Sequence, residues 1–152
     1  MDSIQFRKAE VRDLAAIIAL LADDPLGAQR EQVSGSPAAA YEAAFAAIDA
    51  DPNQLLAVAV DGEEIVGTLQ LTFIPGLSRR GAWRGQIEAV RVARARRGEG
   101  LGHRLFEWAI ADCRARGCGL VQLTTDKARP DAHRFYEDLG FVASHVGYKL
   151  SL

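Results

Sequence analysis

Little in this 152-residue chain offers metal or disulfide chemistry, since it holds two cysteines and three histidines. Cys113 and Cys118 stand five apart with no His or third Cys at ligand spacing. That spacing predicts neither a zinc site nor a disulfide, and both thiols are expected to be reduced, in a reducing compartment. No metal is expected. An excess of one charge is also missing: 18 basic against 20 acidic residues leave −2 at pH 7. The chain as a whole therefore gives no reason to expect nucleic acid or an anionic membrane as partner. No apolar run approaches the ~18 residues of a membrane span. The opening MDSIQFRKAEVRD lacks a signal peptide's hydrophobic stretch, so the cytoplasm is the expected compartment. Repeats, low-complexity tracts and linkers are absent too, which predicts one domain over residues 1–152.

What is present is an alternation of strand and helix patterns. IQFRKAE reads as a first strand, and VRDLAAIIALLADD as a helix with Leu14, Ile17, Ile18 and Leu21 at helical spacing. A polar loop, DPLGAQREQVSGSP, leads to the Ala-rich PAAAYEAAFAAIDADP, a helix with Ser36 as expected N-cap and Pro37 at its start. NQLLAVAV and IVGTLQLTFI flank Asp61-Gly62, a hairpin signal. PGLSRRG reads as a second turn and AWRGQIEAVRV as a further strand. The remainder reads as helix (GLGHRLFEWAIADCRAR), strand (GLVQLTT), helix (RPDAHRFYEDLG) and strand (FVASHVGYKL). Strand, helix, strand order calls for a parallel pair behind an antiparallel front, so the expected class is α/β with a mixed sheet.

The segment RRGEGLGHRL places glycines at positions 98, 100 and 102, directly between a predicted strand and a predicted helix. Two phosphate-binding patterns fail by spacing. GxGxxG would need glycine at His103 or Leu105, and the P-loop ending GK[ST] meets His103 and Arg104. Arg97-x-x-Gly100-x-Gly102 remains. A helix's first turn carries unpaired N–H groups and a positive dipole end, and glycines let a ligand approach the backbone. Arg91, Arg94, Arg96 and Arg97 crowd the same stretch, which favours an anion. The alternative is a tight strand-to-helix turn with a solvated arginine rim.

With the IEAVRV strand before it and DAHRFYEDLGF after it, this turn resembles the GNAT superfamily of acetyl-CoA-dependent N-acetyltransferases, over about Gln86 to Leu150. The resemblance implies a central mixed sheet of about 6–7 strands flanked by about 4 helices. It implies acetyl-CoA as cosubstrate, with the diphosphate on the main-chain amides of Gly98, Glu99, Gly100, Leu101, Gly102 and His103. The backbone of Val90, Arg91 and Val92 would pair with the pantetheine, and Arg97 or Arg96 would meet phosphate. Tyr136 matches the family's tyrosine, placed to protonate the leaving thiolate; as a plain residue it would be a half-buried core aromatic. Seven positions before it, where the family commonly has Asn, stands Arg129, expected to reach a phosphate instead.

A general base is needed because an ammonium acceptor must lose a proton before attack. In an unbroken strand Gln86, Glu88, Val90 and Val92 share one face and Ile87, Ala89 and Arg91 the other. Glu88 is the candidate base; its structural alternative is an ion pair with Arg84 or Arg91, and a bulge would shift the parity. His103 and His133 read as solvated helix residues and His145 as a residue of the last strand. Trp83, Phe73 and Trp108 read as core or pocket wall. Asp23, Asp24 and Glu31 are carboxylates that could attract a cationic amine. The sequence thus predicts an N-acetyltransferase acting on a small amine or peptide acceptor, with homodimerisation a frequent habit of the family. A non-catalytic acyl-CoA-binding or regulatory domain is the alternative. DNA or RNA binding through Arg91–Arg97 is disfavoured by the acidic balance.

Overall fold

A computed structural model describes residues 3–34, 37–127 and 129–152; Ser36, the expected N-cap, lies outside them. β1 (Ile4–Lys8), β2 (Gln54–Asp61), β3 (Glu64–Ile74), β4 (Arg84–Val92) and β5 (Leu120–Gln122) form one sheet in that spatial order. The first four pair antiparallel, and β4 pairs parallel with β5. Asp61 faces Glu64 across the β2–β3 turn, which Gly62 enters at φ 62°. The helices are α1 (Leu14–Ala22), α2 (Gly27–Arg30), α3 (Ala39–Ala50), α4 (Ser78–Gly81), α5 (Leu101–Ala115) and α6 (Pro130–Asp138). α2 and α4 are single turns, and Arg79 and Arg80 in α4 are left-handed.

Both faces of the sheet are covered, and β2 shows how. Its run LLAVAV is continuously apolar because successive side chains enter opposite layers. Ala57 joins Leu69, Leu71, Phe73 and Ile87 beneath Leu105, Phe106, Ala109 and Cys113 of α5. Val58 and Val60 pack instead with Leu14, Ile17 and Ile18 of α1 and Phe45 of α3. Each of the buried Leu, Ile, Val and Phe side chains contributes roughly 1.5–3 kcal/mol. α5 lies so close to β4 that a Cβ at Gly85 would stand 2.4 Å from Cys113 Sγ. At the start of α1 the buried Asp13 accepts two hydrogen bonds from Arg7, at 2.7 and 3.1 Å, and one from the Glu10 N–H at 2.8 Å. These fix the junction between β1 and α1.

Two expectations about the sheet are corrected. It has five strands among the described residues, fewer than the resemblance implied. FVASHVGYKL, expected to be the last strand, makes none. Val142, Val146, Tyr148 and Leu150 alternate as a strand's apolar side would, yet all are exposed, Tyr148 at 93%. Alternation predicts a strand only where a neighbouring ladder and an apolar layer receive it. β5, three residues long, extends neither to this segment.

Candidate active site

The site begins with one extra residue in β4. Ala89 has φ 55°, and the pairing with β3 jumps from Gln70↔Glu88 to Thr68↔Arg91. A non-glycine residue in the left-handed region costs on the order of 1–2 kcal/mol, so the surrounding sheet must hold it there. The bulge corrects the unbroken-strand parity. Val90 and Val92 rotate onto the face of Ile87 and pack in the core beneath α5. Arg91 moves to the face of Glu88 and reaches Asp24 at the end of α1.

The same strand loses its outer neighbour. The β4–β5 ladder ends at Gln86↔Gln122, so from Ile87 onward the outer edge of β4 has no strand partner among the described residues. Tyr136 of α6 packs against Phe106, Phe135 and Phe141, with ring centroids 5.7, 5.6 and 6.3 Å away. Its phenol is hydrogen-bonded to the Thr125 side chain. Burial pushes its pKa up, against the opposing pull of Thr125, Arg129 and Arg91. Glu88 is exposed, and its side chain makes no hydrogen bond or ion pair among the described residues. Of its two expected structural partners, Arg91 is committed to Asp24, and Arg84 makes no ion pair with it.

Around Glu88 the sheet is polar. Gln54 Oε1 accepts hydrogen bonds from Gln70 Nε2 and Thr72 Oγ1, each at 3.0 Å. Gln122 Nε2 donates to Gln86 Oε1 at 3.0 Å. This floor did not figure among the expected site residues. Its signal was present in TLQLT, where Thr68, Gln70 and Thr72 alternate with the buried Leu69, Leu71 and Phe73.

The glycine turn follows β4. Gly98 and Gly100 have φ of 83° and 80°, and Gly100 is the N-cap of α5. A Cβ at either would meet nothing within 4 Å, so backbone conformation rather than crowding requires glycine. Among the described residues no acceptor takes the N–H groups of Gly98 through His103. Six consecutive free amides at the N-terminus of a 15-residue helix are the requirement for seating a phosphate. Gly102 lies where α5, α6 and β4 converge, its Cα side facing Phe135 and Val92.

The arginines divide. Arg96 is held between Asp61, at 2.6 Å, and Glu99, at 2.8 Å, and braces the β2–β3 hairpin against the turn. Arg97 donates to the carbonyls of Val92 and Asp23, both at 3.2 Å, with its side chain half exposed beside the free amides. Arg94 pairs with Asp23 at 2.9 Å. Arg129 stands at the N-cap position of α6, and its side chain donates to Asp24 Oδ2 at 2.9 Å. The loop carboxylates are therefore engaged: Asp23 and Asp24 by arginines, and Glu31 by the Tyr41 hydroxyl at 3.0 Å.

Other candidates fall away from this centre. His133 and His145 are exposed, and His145 Nδ1 lies 2.7 Å from Ser144 Oγ. His103 lies 3.5 Å from Glu107 and meets Phe135 edge-on. Cys113 and Cys118 are free thiols; burial pushes Cys113 up to about 12, which makes it inert at neutral pH. A shallow depression of about 480 Å³ between α1 and Ala93–Arg94 includes neither Glu88 nor Tyr136. Among the described residues no cluster suits a metal ion, and no helix is long and apolar enough to cross a membrane.

Comparison with known proteins identifies the family. The Acetyltransferase (GNAT) family matches residues 15–141. Over 113 residues, 74% of this chain and 73% of the relative, the sequence is 34% identical to an aminoalkylphosphonate N-acetyltransferase of Salmonella typhimurium. The structure superposes with a TM-score of 0.96 on a transcriptional regulator from Bacillus halodurans, 50% identical, covering 98% of this chain and 99% of that one. A glucosamine-6-phosphate N-acetyltransferase from Arabidopsis thaliana shares the fold at a TM-score of 0.78 and 23% identity, covering 99% of each chain.

Proposed function

This chain belongs to the acetyltransferase (GNAT) family, and from that premise we propose that it transfers an acetyl group from acetyl-CoA to a primary amine by direct attack. The observation that carries the reading is the open outer edge of β4, flanked by an unpartnered Glu88 and a half-buried Tyr136 and followed at once by the free amides of residues 98–103. We read residues 1–152 as one such domain.

Acetyl-CoA, the family's cosubstrate, supplies an activated thioester whose carbonyl accepts the amine. The amides of Gly98, Glu99, Gly100, Leu101, Gly102 and His103 seat the diphosphate, with Arg97 beside them. The backbone of Val90, Arg91 and Val92, on the edge that β5 leaves without a strand partner, pairs with the pantetheine amides, in exchange for the hydrogen bonds that the Val90 and Val92 carbonyls accept from Arg91 and Arg97. Glu88 takes the proton of the acceptor ammonium, directly or through one water, so that nitrogen presents a lone pair. As the C–N bond forms and the C–S bond breaks, Tyr136 gives its phenolic proton to the departing sulfur and regains one from solvent. Positioning supplies most of the acceleration, because the thioester needs little further activation.

The Salmonella relative is named for aminoalkylphosphonates, which places small amines first among acceptors to test. The experiment is thiol release from acetyl-CoA across amino acids, aminophosphonates, polyamines, aminoglycosides and peptide N-termini. Saturable release with at least one amine is the expected result. The Bacillus halodurans neighbour is named a transcriptional regulator, which favours a second reading, an acyl-CoA-binding regulatory domain. Coenzyme binding by calorimetry without thiol release across the panel would select it.

A further inference from the structure

We infer that Arg91 and Arg129 form a clamp for an acidic group on the acceptor, so that the acceptor is a small amine bearing a carboxylate or phosphonate a few bonds from its nitrogen. The inference rests on the reading of the site as an amine acetyltransferase.

The first support is a shared carboxylate. Asp24 Oδ2 lies 3.1 Å from Arg91 Nε and 2.9 Å from Arg129 NH2, so one carboxylate oxygen serves two guanidinium groups. Its other oxygen accepts the Gly27 N–H. Burial disfavours the Asp24 carboxylate, but the Gly27 N–H and the two arginines outweigh it and hold its pKa below the usual range. The remaining charges facing Arg91 are Arg30 and Glu31, which offset one another. Arg30 is paired with Asp126 at 3.3 Å, and Glu31 with the Tyr41 hydroxyl. Two guanidinium groups thus share one carboxylate oxygen where the Arg91 side chain is only 15% exposed. In such a place a charge is weakly screened.

The second support is an unused donor. Arg91 Nε is buried, and its contact with Asp24 is off the line of its N–H, so that N–H donates to no acceptor among the described residues. A buried guanidinium donor without an acceptor is unfavourable, and a ligand oxygen would satisfy it.

The third is distance. Glu88 and Arg91 occupy the same face of β4, opposite Gln70 and Thr68, two residues apart on β3. Two strand residues span about 7 Å. An amine hydrogen-bonded to Glu88 and an acid hydrogen-bonded to the arginines use roughly 3 Å at each end. The molecule between them must be short.

The wild-type protein provides the test without any variant. Thiol release is measured with 2-aminoethylphosphonate, β-alanine and n-propylamine, which share a short chain and differ in the acid. Specificity (kcat/KM) for at least one acid-bearing amine should exceed that for propylamine on the order of 100-fold, the value of charge-assisted hydrogen bonds lost by the analogue. The phosphonate and carboxylate arms show which acid is preferred. Equal rates with propylamine would overturn the clamp while leaving the acetyltransferase intact. No release from any amine would instead overturn the enzymatic reading, and thermal protection by 2-aminoethylphosphonate would then decide the clamp alone: protection supports it and its absence refutes it. Arg129→Gln should raise KM for the acid-bearing amine on the order of 10–100-fold with KM for acetyl-CoA unchanged, and Arg129→Lys should recover part of the loss. An unchanged KM in Arg129→Gln would also overturn the assignment.

Discussion

Replacing Tyr136 with Phe removes one oxygen and leaves the ring. The ring's contacts with Phe106, Phe135 and Phe141 persist, so the fold loses only the hydrogen bond with Thr125, worth about 1 kcal/mol. The chemical loss is larger. Positioned general acids contribute roughly 10²–10⁴-fold, but a thiol of pKa near ~8.5 leaves tolerably without help, which places the effect near ~10². That is a barrier increase of about 2.7 kcal/mol. Steady-state thiol release should show the fall in kcat, while calorimetry should return an acetyl-CoA affinity within about twofold of wild type, since RT ln 2 is only ~0.4 kcal/mol. The pH profile carries a sign. Burial holds the phenol above its usual pKa of about 10, so Tyr136 is a competent acid at every lower pH. The unfolded chain ionises this tyrosine first, so its contribution to stability declines only as pH rises above about 10. An alkaline loss of activity near neutrality must therefore originate elsewhere. A variant with unchanged kcat would remove Tyr136 from the mechanism, and a parallel loss of acetyl-CoA affinity would make it a binding residue.

Three further changes separate binding, chemistry and stability. Gly100→Val places a side chain in open space, so the fold should lose only the left-handed backbone cost of about 1–2 kcal/mol; acetyl-CoA affinity by calorimetry should fall at least on the order of tenfold, and an unchanged Kd would detach the turn from the diphosphate. Glu88→Gln should lower kcat on the order of 100-fold. Its melting temperature should not move, because the Glu88 side chain is exposed and has no partner among the described residues; full activity would make the base another group or solvent. Asp13→Asn breaks the buried pair with Arg7 and should cost about 3 kcal/mol by urea unfolding. The Arg7 hydrogen bond, opposed by burial, holds the Asp13 carboxyl below the usual range. Its stabilisation is therefore present above about pH 4 and lost as pH falls through the folded value. Identical acid unfolding of variant and wild type would refute that assignment.

What the sequence made legible was local. The turn at 98–102 is contiguous, and its glycines, its place between strand and helix and its failure of the nucleotide patterns could all be read directly. Tyr136 was legible through its neighbours Phe135, Gly140 and Phe141, which mark a helix ending against the core. The last strand was misread for a physical reason. Alternation at Val142, Val146, Tyr148 and Leu150 records a preference for a pleated surface, but not whether a neighbouring strand is there to receive it.

The acceptor side was illegible because its residues are dispersed and one conformational detail redirects them. Asp24, Arg91 and Arg129 come from the end of α1, the bulged strand and the start of α6, with no shared motif. Counting by twos along β4 sends Arg91 to the core face, where a guanidinium would be untenable, and sends Val90 and Val92 to the polar floor. The single left-handed residue Ala89 reverses both placements. It also leaves Ala89 and Val90 outside the β3 ladder, next to an outer edge that has already lost β5. One extra residue therefore turns Arg91 toward the acceptor and, by the same shift of parity, sets which backbone groups of residues 90–92 face the outer edge that β5 leaves open. The two binding functions are coupled through that bulge. A change that straightened β4 would return Arg91 toward the core and reverse which backbone groups of residues 90–92 face the outer edge in the same step, so cosubstrate and acceptor binding should fail together rather than separately.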